Sequence, residues 1–149
     1  MIDEINKAVA LLNQGEVVAI PTETVYGLAT NAIVTANKDT VAIRVPSHPI
    51  ALLLLNRIDF PLAAPSANSF GYISPTKASY VKSQLGDKIP FILDGGYCEK
   101  GIESTIIGFE NNEPILYRVG AISIEHIEKY IGKIKLKIMQ FLNLTHREC

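Results

Sequence analysis

The chain has 149 residues, of which 48% are hydrophobic, and its 14 basic and 15 acidic side chains give a formal net charge of -1. This length favours a single domain with a core of ordinary size, and the apolar composition excludes a chain that is disordered throughout. No apolar run approaches the ~18 residues of a membrane-spanning helix, and the acidic start of the chain is unlike a signal peptide. We therefore expect a cytoplasmic protein without a membrane span, in which Cys98 and Cys149 are free thiols.

The first half of the chain predicts an amphipathic helix followed by short strands and a second helix. Apolar residues recur at helical spacing from Asp3 to Asn13, Asp3 is in position to cap the helix start, and Gly15 follows the helix end. The elements predicted next are a strand buried on both faces over Val17–Ile20, a strand over Val41–Val45, a buried helix over Pro49–Asn56 and a strand edge over Pro61–Ala64.

The second half continues this alternation of helices and strands. Its predicted elements are a polar loop over Ser66–Ser74, a helix from about Ser74 or Pro75 to Leu85, strands over Phe91–Leu93, Ile102–Ile107 and Ile115–Val119, a turn at Asn111-Asn112, and a helix capped by Ser123 that runs through Tyr130. Strands and helices alternate without repeats or linkers, which indicates one domain of the α/β (α+β) class.

Three loops are rich in hydroxyl, amide and glycine residues, and they are the first candidates for binding. They are Pro21–Gly27, Pro65–Ser74 and Asp94–Thr105. In α/β proteins the loops between strands and helices carry binding groups, although the same residue types also simply form turns. Both interpretations stay open for each loop taken alone.

Two arginines occur in otherwise apolar predicted strands. Arg44 lies in the run Val41–Val45, and a guanidinium at such depth requires an anion or carbonyl groups. It either forms a structural salt bridge with a glutamate or binds the carboxylate of a substrate, which its planar fork can grip in bidentate fashion. Arg118 raises the same question for a phosphate.

Other common sites are not supported by the sequence. The three histidines lack metal-ligand spacing with each other or with the cysteines, so no metal site is predicted. A hydrolase triad of Ser66, His48 and Asp94 lacks the nucleophile-elbow motif, and there is neither a P-loop nor a Rossmann glycine motif. The basic residues near the C-terminus indicate a solvated face more than an RNA-binding one; they are Lys129, Lys133, Lys135 and Lys137.

Several stretches, in a fixed order, resemble one known family. They are PTETVYGL (Pro21–Leu28), DTVAIRVPSHP (Asp39–Pro49), PLAAPSAN (Pro61–Asn68), SPT (Ser74–Thr76), ILDGG (Ile92–Gly96), GIEST (Gly101–Thr105) and ILYRVGA (Ile115–Ala121). On these motifs the chain resembles the YrdC/TsaC family, the L-threonylcarbamoyladenylate synthases of tRNA modification.

This resemblance implies a YrdC-like domain, a twisted mixed sheet flanked by helices, and a nucleotidyltransferase that converts L-threonine, bicarbonate and ATP into threonylcarbamoyl-AMP and pyrophosphate. Mg²⁺ is expected to accompany ATP. By motif, the implied threonine-binding residues are Thr24, Thr40, Arg44, Ala64 and Ser104, and the implied ATP-binding residues are Ser66, Asn68, Ser74 and Arg118. The implied partners are the downstream tRNA threonylcarbamoyl-transfer machinery and, weakly, double-stranded RNA or tRNA. No catalytic acid or base is assigned.

The chain departs from this family at one place. Near residues 32–38 it lacks several tens of residues that members of the family have, including a Lys-x-Arg motif that contacts the phosphates of ATP. We therefore expect a YrdC-like domain over residues 1–132, shortened at this point and with exposed apolar edges, and a basic tail over residues 133–149. The alternatives are a working synthase and a shortened homologue that only binds threonine, nucleotide or double-stranded RNA. A sister carbamoyltransferase activity is disfavoured because the accompanying domains are absent.

Overall fold

The computed structural model describes residues 1–32 and 41–137. The chain forms two compact units, Met1–Ile102 and Glu103–Cys149. In the described part of the chain, no helix is long and apolar enough to cross a membrane. The predicted boundary between a domain over 1–132 and a tail over 133–149 stays a prediction.

The larger unit is built on a four-stranded mixed sheet. Its elements are α1 (Ile2–Asn13), β1 (Val18–Ile20), β2 (Gly27–Asn31), α2 (Pro49–Leu55), β3 (Leu62–Ala63), α3 (Ala78–Leu85) and β4 (Phe91–Ile92). The strand order is β3-β2-β1-β4, with β1 antiparallel to β2 and parallel to β4. The central position of β1 explains why its three residues are all buried.

Helices cover both faces of this sheet because the side chains of β1 alternate between them. Val18 and Ile20 point to one face, where they pack with buried residues of α1 and with Leu54 of α2. Ala19 points to the other face and belongs to a second cluster with Tyr26 and Val81 of α3. The alternation within one short strand therefore divides the core into two parts.

The smaller unit is a three-stranded sheet with one helix. Its elements are β5 (Ile106–Glu110), β6 (Glu113–Arg118), α4 (Ile124–Ile131) and β7 (Lys135–Leu136), in the strand order β5-β6-β7. Asn111 and Asn112 connect β5 to β6 with φ angles of 51° and 63°. Two consecutive positive φ angles are typical of a tight hairpin turn, and asparagine tolerates them better than most residues.

Most of the predicted elements are confirmed with small shifts of their ends. The first helix and its terminal Gly15, with φ of 80°, are as predicted. The cap is wrong, because the helix begins at Ile2 and Asp3 lies inside its first turn. Ser123 does cap α4, where its hydroxyl accepts the N–H of His126 at 3.3 Å.

The predicted strand over Val41–Val45 is wrong. These residues have no regular secondary structure, and the side chains of Val41, Ile43 and Val45 are 61%, 88% and 81% exposed. A strand of apolar residues needs neighbours on its sides and faces, and no strand among the described residues pairs with it. The sequence predicted exposed apolar edges, and the exposed side chains of this segment agree with that prediction.

Three further elements differ from the prediction. The strands β2 and β7 were not expected, because neither has the apolar run that predicts a strand; both form through pairing with a stronger neighbour. The strand predicted over Ile102–Ile107 begins only at Ile106, and the helix α3 begins at Ala78 because the chain is still extended at Lys77.

Candidate functional site

The loop between β1 and β2 holds two buried threonine hydroxyls side by side. Thr22 and Thr24 are only 7% and 2% exposed, and their Oγ1 atoms lie 3.0 Å apart. The hydroxyl of Thr22 donates to the carbonyl of Val25 at 2.7 Å and accepts the N–H groups of Thr24 and Val25 at 3.2 and 3.3 Å. Such side-chain-to-backbone bonds stabilise a turn, and here they fix the position of both hydroxyls.

Arg44 contacts this pair of hydroxyls through one nitrogen atom. Its Nη2 donates to Thr24 Oγ1 at 2.9 Å and to Thr22 Oγ1 at 3.2 Å, and it forms an ion pair with Glu23. The Nη1 and Nε atoms make no hydrogen bond to any residue in 1–32 or 41–137. The N–H donors on those two atoms are therefore available to a carboxylate ligand.

Of the two interpretations of Arg44, the salt bridge with a glutamate is present. The expectation that Arg44 is buried in a strand is wrong, because its side chain is 35% exposed and lies on an irregular segment. The ion pair does not exclude ligand binding, since it occupies only one of the three guanidinium nitrogens.

Glu23 is held by several donors at once. One carboxylate oxygen pairs with Arg44, and the other accepts the backbone N–H of Ser47 at 3.0 Å. Burial by itself would raise the pKa of Glu23, but hydrogen bonds from its own backbone N–H, from Arg44 and from Ser47 hold the pKa below its usual value. Glu23 is therefore ionised at neutral pH.

The glycine-rich loop after β4 is joined to the first loop through Tyr26. The Tyr26 hydroxyl donates to the carbonyl of Gly96 at 2.9 Å and accepts the N–H of Gly95 at 3.0 Å. Burial raises the pKa of Tyr26 to about 12, so the hydroxyl stays protonated. Further along, Gly101 donates its N–H to the carbonyl of Thr24 at 3.0 Å.

The polar loop over Pro65–Ser74 also joins the first loop by backbone hydrogen bonds. Ala67 donates to the carbonyl of Tyr26, and Tyr26 donates to the carbonyl of Pro75, both at 2.8 Å. Ser66 forms a single bridge with Gly27, and a side chain on Gly27 would come within 3.4 Å of the Ala64 Cβ. The parts of the three candidate loops that lie within Met1–Ile102 therefore converge around Tyr26.

Asn68 organises the polar loop from inside. Its Nδ2 donates to the carbonyls of Ser69 and Tyr72, both at 3.0 Å, and its Oδ1 accepts from the Ser74 hydroxyl at 3.3 Å. All the hydrogen-bonding groups of the Asn68 side chain are thus used within the loop. A contact of ATP with Nδ2 would require one of these bonds to break, whereas Oδ1 can still accept a second hydrogen bond.

Ser104 and Arg118 lie together in the smaller unit. Arg118 donates from Nε to the Ser104 carbonyl at 2.8 Å and from Nη2 to the Ser104 hydroxyl at 2.9 Å, while its Nη1 lies 3.2 Å from the carboxylate of Glu103. All three guanidinium nitrogens are therefore engaged. A phosphate that approaches Arg118 therefore meets the negative charge of Glu103 beside the same guanidinium.

The remaining predicted residues are placed as follows. Thr40, His146 and Cys149 lie outside the described residues. Cys98 is a free thiol, 2% exposed, and burial raises its pKa. Within residues 1–32 and 41–137, no group of three or more His, Cys, Asp or Glu side chains could hold a metal ion. His48 accepts the N–H of Ile50 at the start of α2.

The basic residues near the C-terminus are partly neutralised. Lys135 pairs with Glu113, and Lys137 pairs with Glu110 at 2.7 Å. These pairs support the solvated-face interpretation of the lysines.

An open cavity of about 260 Å³ lies at the start of α3 and is lined by none of the predicted ligand residues. The Lys77 ammonium sits 4.4 Å above the Tyr97 ring beside it. The lining residues are Lys77, Ala78, Ser79, Asp94, Gly96 and Tyr97. Its volume is below that of an ordinary ligand pocket.

Thr22 and Glu23 both contact Arg44 and were not identified from the sequence. The available signal was the Thr-Glu-Thr run directly after a buried strand. The sequence alone does not show that Glu23 faces Arg44, because that contact joins residues 21 positions apart.

Comparisons with known proteins agree on one family. The model of the Sua5/YciO/YrdC family, described as telomere recombination, matches residues 30–120. The chain is 50% identical over 100 residues to the threonylcarbamoyl-AMP synthase of Schizosaccharomyces pombe, covering 67% of this chain and 24% of that protein. It is 34% identical over 198 residues to the threonylcarbamoyl-AMP synthase of Bacillus subtilis, covering 88% of this chain and 57% of that protein.

Solved structures show the same similarity. The crystal structure of P. abyssi Sua5 complexed with L-threonine superposes with a TM-score of 0.85 at 31% identity, covering 89% of this chain and 58% of that one. E. coli YciO superposes with a TM-score of 0.73 at 18% identity, covering 85% of this chain and 93% of that one, which shows the shared fold.

The chain is much shorter than the synthases that it matches. It spans 24% of the S. pombe protein and 57% of the B. subtilis protein. The alignment with the B. subtilis protein also runs over 198 residues, whereas the whole chain has 149. Several tens of residues inside the aligned region therefore have no counterpart here, in agreement with the predicted internal shortening.

Proposed function

The chain belongs to the Sua5/YciO/YrdC family, and from this membership we propose that it binds L-threonine at Arg44 and uses it, with bicarbonate and ATP, to form threonylcarbamoyl-AMP. The observation that carries the proposal is the contact of Arg44 Nη2 with Thr22 and Thr24, which leaves Nη1 and Nε available. The P. abyssi relative crystallised with L-threonine supports the choice of ligand.

The chemistry of these side chains suits an amino acid with a hydroxyl group. In the proposed complex, the carboxylate of threonine binds the guanidinium of Arg44, and the hydroxyls of Thr24, Thr40 and Ser104, with the backbone of Ala64, orient its other polar groups. A charge-assisted hydrogen bond of this kind contributes about 1.5 to 3 kcal/mol. The burial of Thr22 and Thr24 makes the hydroxyl arrangement rigid before the ligand arrives.

The proposed reaction has two steps. The amine of threonine attacks the carbon of bicarbonate, and the resulting carbamate forms with loss of one water molecule. An oxygen of the carbamate then attacks the α-phosphorus of ATP, and pyrophosphate leaves. In this proposal Ser66, Ser74 and Arg118 bind ATP with help from Asn68, and catalysis rests on positioning and electrostatic stabilisation.

The described residues include no group of three or more His, Cys, Asp or Glu side chains that could hold Mg²⁺ without ATP. In this proposal Mg²⁺ enters with the phosphates of ATP. Cytoplasmic location, weak binding of double-stranded RNA or tRNA, and transfer of the product to the tRNA threonylcarbamoyl-transfer machinery remain part of the proposal by family membership.

A second candidate function is threonine binding without catalysis. Two observations favour it: no Lys-x-Arg motif is present, and Arg118 is already paired with Glu103 and Ser104. Phosphoryl transfer depends strongly on cationic groups. An ATP site whose single arginine already has protein partners therefore stabilises the phosphate charge less well. Both candidates share the threonine site and differ only in turnover.

Isothermal titration with L-threonine tests the shared step. We expect Arg44→Ala to weaken binding by about 1.5 to 3 kcal/mol, which is roughly 10-fold to 150-fold. Arg57→Ala is the matched control, because Arg57 lies after α2 and donates to the carbonyl of Leu53. Equal affinity of wild type and Arg44→Ala would refute the assignment of Arg44.

Pyrophosphate release separates the two candidates. Wild-type protein is mixed with ATP, L-threonine, bicarbonate and Mg²⁺, and the same mixture without bicarbonate is the control. Bicarbonate-dependent pyrophosphate supports the synthase. Measurable threonine binding without pyrophosphate supports the homologue that only binds.

A further inference from the structure

We propose that Glu23 is a positioning residue that fixes Arg44 and its segment in the geometry needed to bind the ligand carboxylate. The inference rests on the proposed function for the identity of the ligand. It assigns to Glu23 a role that is separate from ligand contact, because its carboxylate acts through Arg44 and Ser47.

The first observation is how the segment is attached to the described protein. Each hydrogen bond from residues 41–47 to the rest of the described chain ends on Thr22, Glu23 or Thr24. The segment has no regular secondary structure and exposes its apolar side chains. Neither strand pairing nor burial therefore holds the segment in place, and its position depends on the polar contacts around Glu23.

The second observation is that Glu23 holds the segment at two points. One oxygen pairs with the Arg44 side chain, and the other accepts the backbone N–H of Ser47 at 3.0 Å. Two contacts, one to a side chain and one to the backbone three residues further on, restrict both the path of the chain and the direction of the guanidinium. The carboxylate side chain is itself only 20% exposed, which limits competition from water.

The third observation concerns compatibility with a ligand. Glu23 meets Arg44 only at Nη2, the same atom that contacts the two threonine hydroxyls. A carboxylate that binds Nη1 or Nε does not need to displace Glu23. The geometry therefore points to support of binding by Glu23, and the opposite role, competition with the ligand for Arg44, becomes an outcome of the test.

The test compares Glu23→Gln, which keeps the size and removes the charge, with Glu16→Gln as a matched control at an exposed position between α1 and β1. We expect Glu23→Gln to weaken L-threonine binding roughly tenfold and Glu16→Gln to leave it unchanged. Glu23→Asp restores the charge on a shorter side chain and should recover part of the affinity. Unchanged or tighter binding by Glu23→Gln would overturn the proposal.

Hydrogen exchange in the absence of ligand tests the same role independently. Peptides that cover residues 41–48 should exchange faster in Glu23→Gln than in wild type, while peptides from α1 and β1 keep their protection. Equal exchange of the 41–48 peptides in both proteins would also overturn the proposal. If wild type binds no threonine and these peptides still exchange faster in the variant, the threonine assignment fails and the positioning of Arg44 stands.

Discussion

Removing the hydroxyl of Tyr26 tests whether this residue joins two loops of the candidate site. Tyr26 is fully buried, and its hydroxyl donates to the carbonyl of Gly96 and accepts the N–H of Gly95. Tyr26→Phe keeps the aromatic ring and its packing in the core. The substitution therefore removes these two hydrogen bonds and a longer contact of 3.4 Å from the hydroxyl to Asp94 Oδ1, and changes almost nothing else.

The expected loss follows from those two bonds. Each contributes about 1 kcal/mol, and a backbone group left without its partner adds to the cost, so the free energy of unfolding should fall by about 2 to 3 kcal/mol. For a chain of this size the melting temperature should drop by about 4 to 12 °C.

The pH dependence supplies a second signature of the same bond network. Because burial raises the pKa of Tyr26 to about 12 from an ordinary value of 10.0, the folded protein keeps this proton after the unfolded chain has lost it. The contribution of Tyr26 is complete below pH 10.0 and is lost as the pH rises towards about 12. The difference in stability between wild type and Tyr26→Phe should therefore shrink over that range.

Urea unfolding followed by circular dichroism measures both effects. Tyr72→Phe is the matched control, because Tyr72 is 67% exposed and should lose less than 0.5 kcal/mol. If Tyr26→Phe is as stable as Tyr72→Phe at neutral pH, the hydroxyl does not join the two loops and the reasoning is wrong.

Two further predictions concern the same unit. Gly95→Ala should lower the free energy of unfolding by about 1 to 3 kcal/mol in the same assay. The reason is that its new Cβ would lie 2.7 Å from the Pro21 Cβ and 2.8 Å from the His48 Cε1. A loss below about 0.5 kcal/mol would contradict this close approach. Ile43→Ser should change stability by less than 0.5 kcal/mol, because Ile43 is 88% exposed. A loss as large as that of Leu54→Ala, for which we expect about 2 to 5 kcal/mol, would instead place Ile43 in a buried strand.

The regular elements with strong local signals could be predicted from the sequence. The periodicity after Asp3, the buried run of β1 and the serine before α4 each identify an element, because the signal lies within the element itself. The strand β2 could not be predicted in this way. Its residues form a strand because β1 and β3 pair with it on either side.

The segment Val41–Val45 is the opposite case, a predicted strand that does not form. Its alternating branched apolar residues have high strand propensity, but propensity describes how well side chains fit a half-buried sheet. In the described part of the chain, no neighbouring strand provides that sheet for it. The local pattern of the segment does not reveal whether such a neighbour exists.

The family could be identified from the sequence alone, and the comparisons confirm it, as could the loops that carry the polar residues. The folded chain alone shows that Glu23 pairs with Arg44, that Asn68 bonds within its own loop and that Arg118 is already paired. The physical reason is that residue type fixes which hydrogen bonds and ion pairs a side chain can make, whereas the partner that it meets depends on contacts between distant parts of the chain.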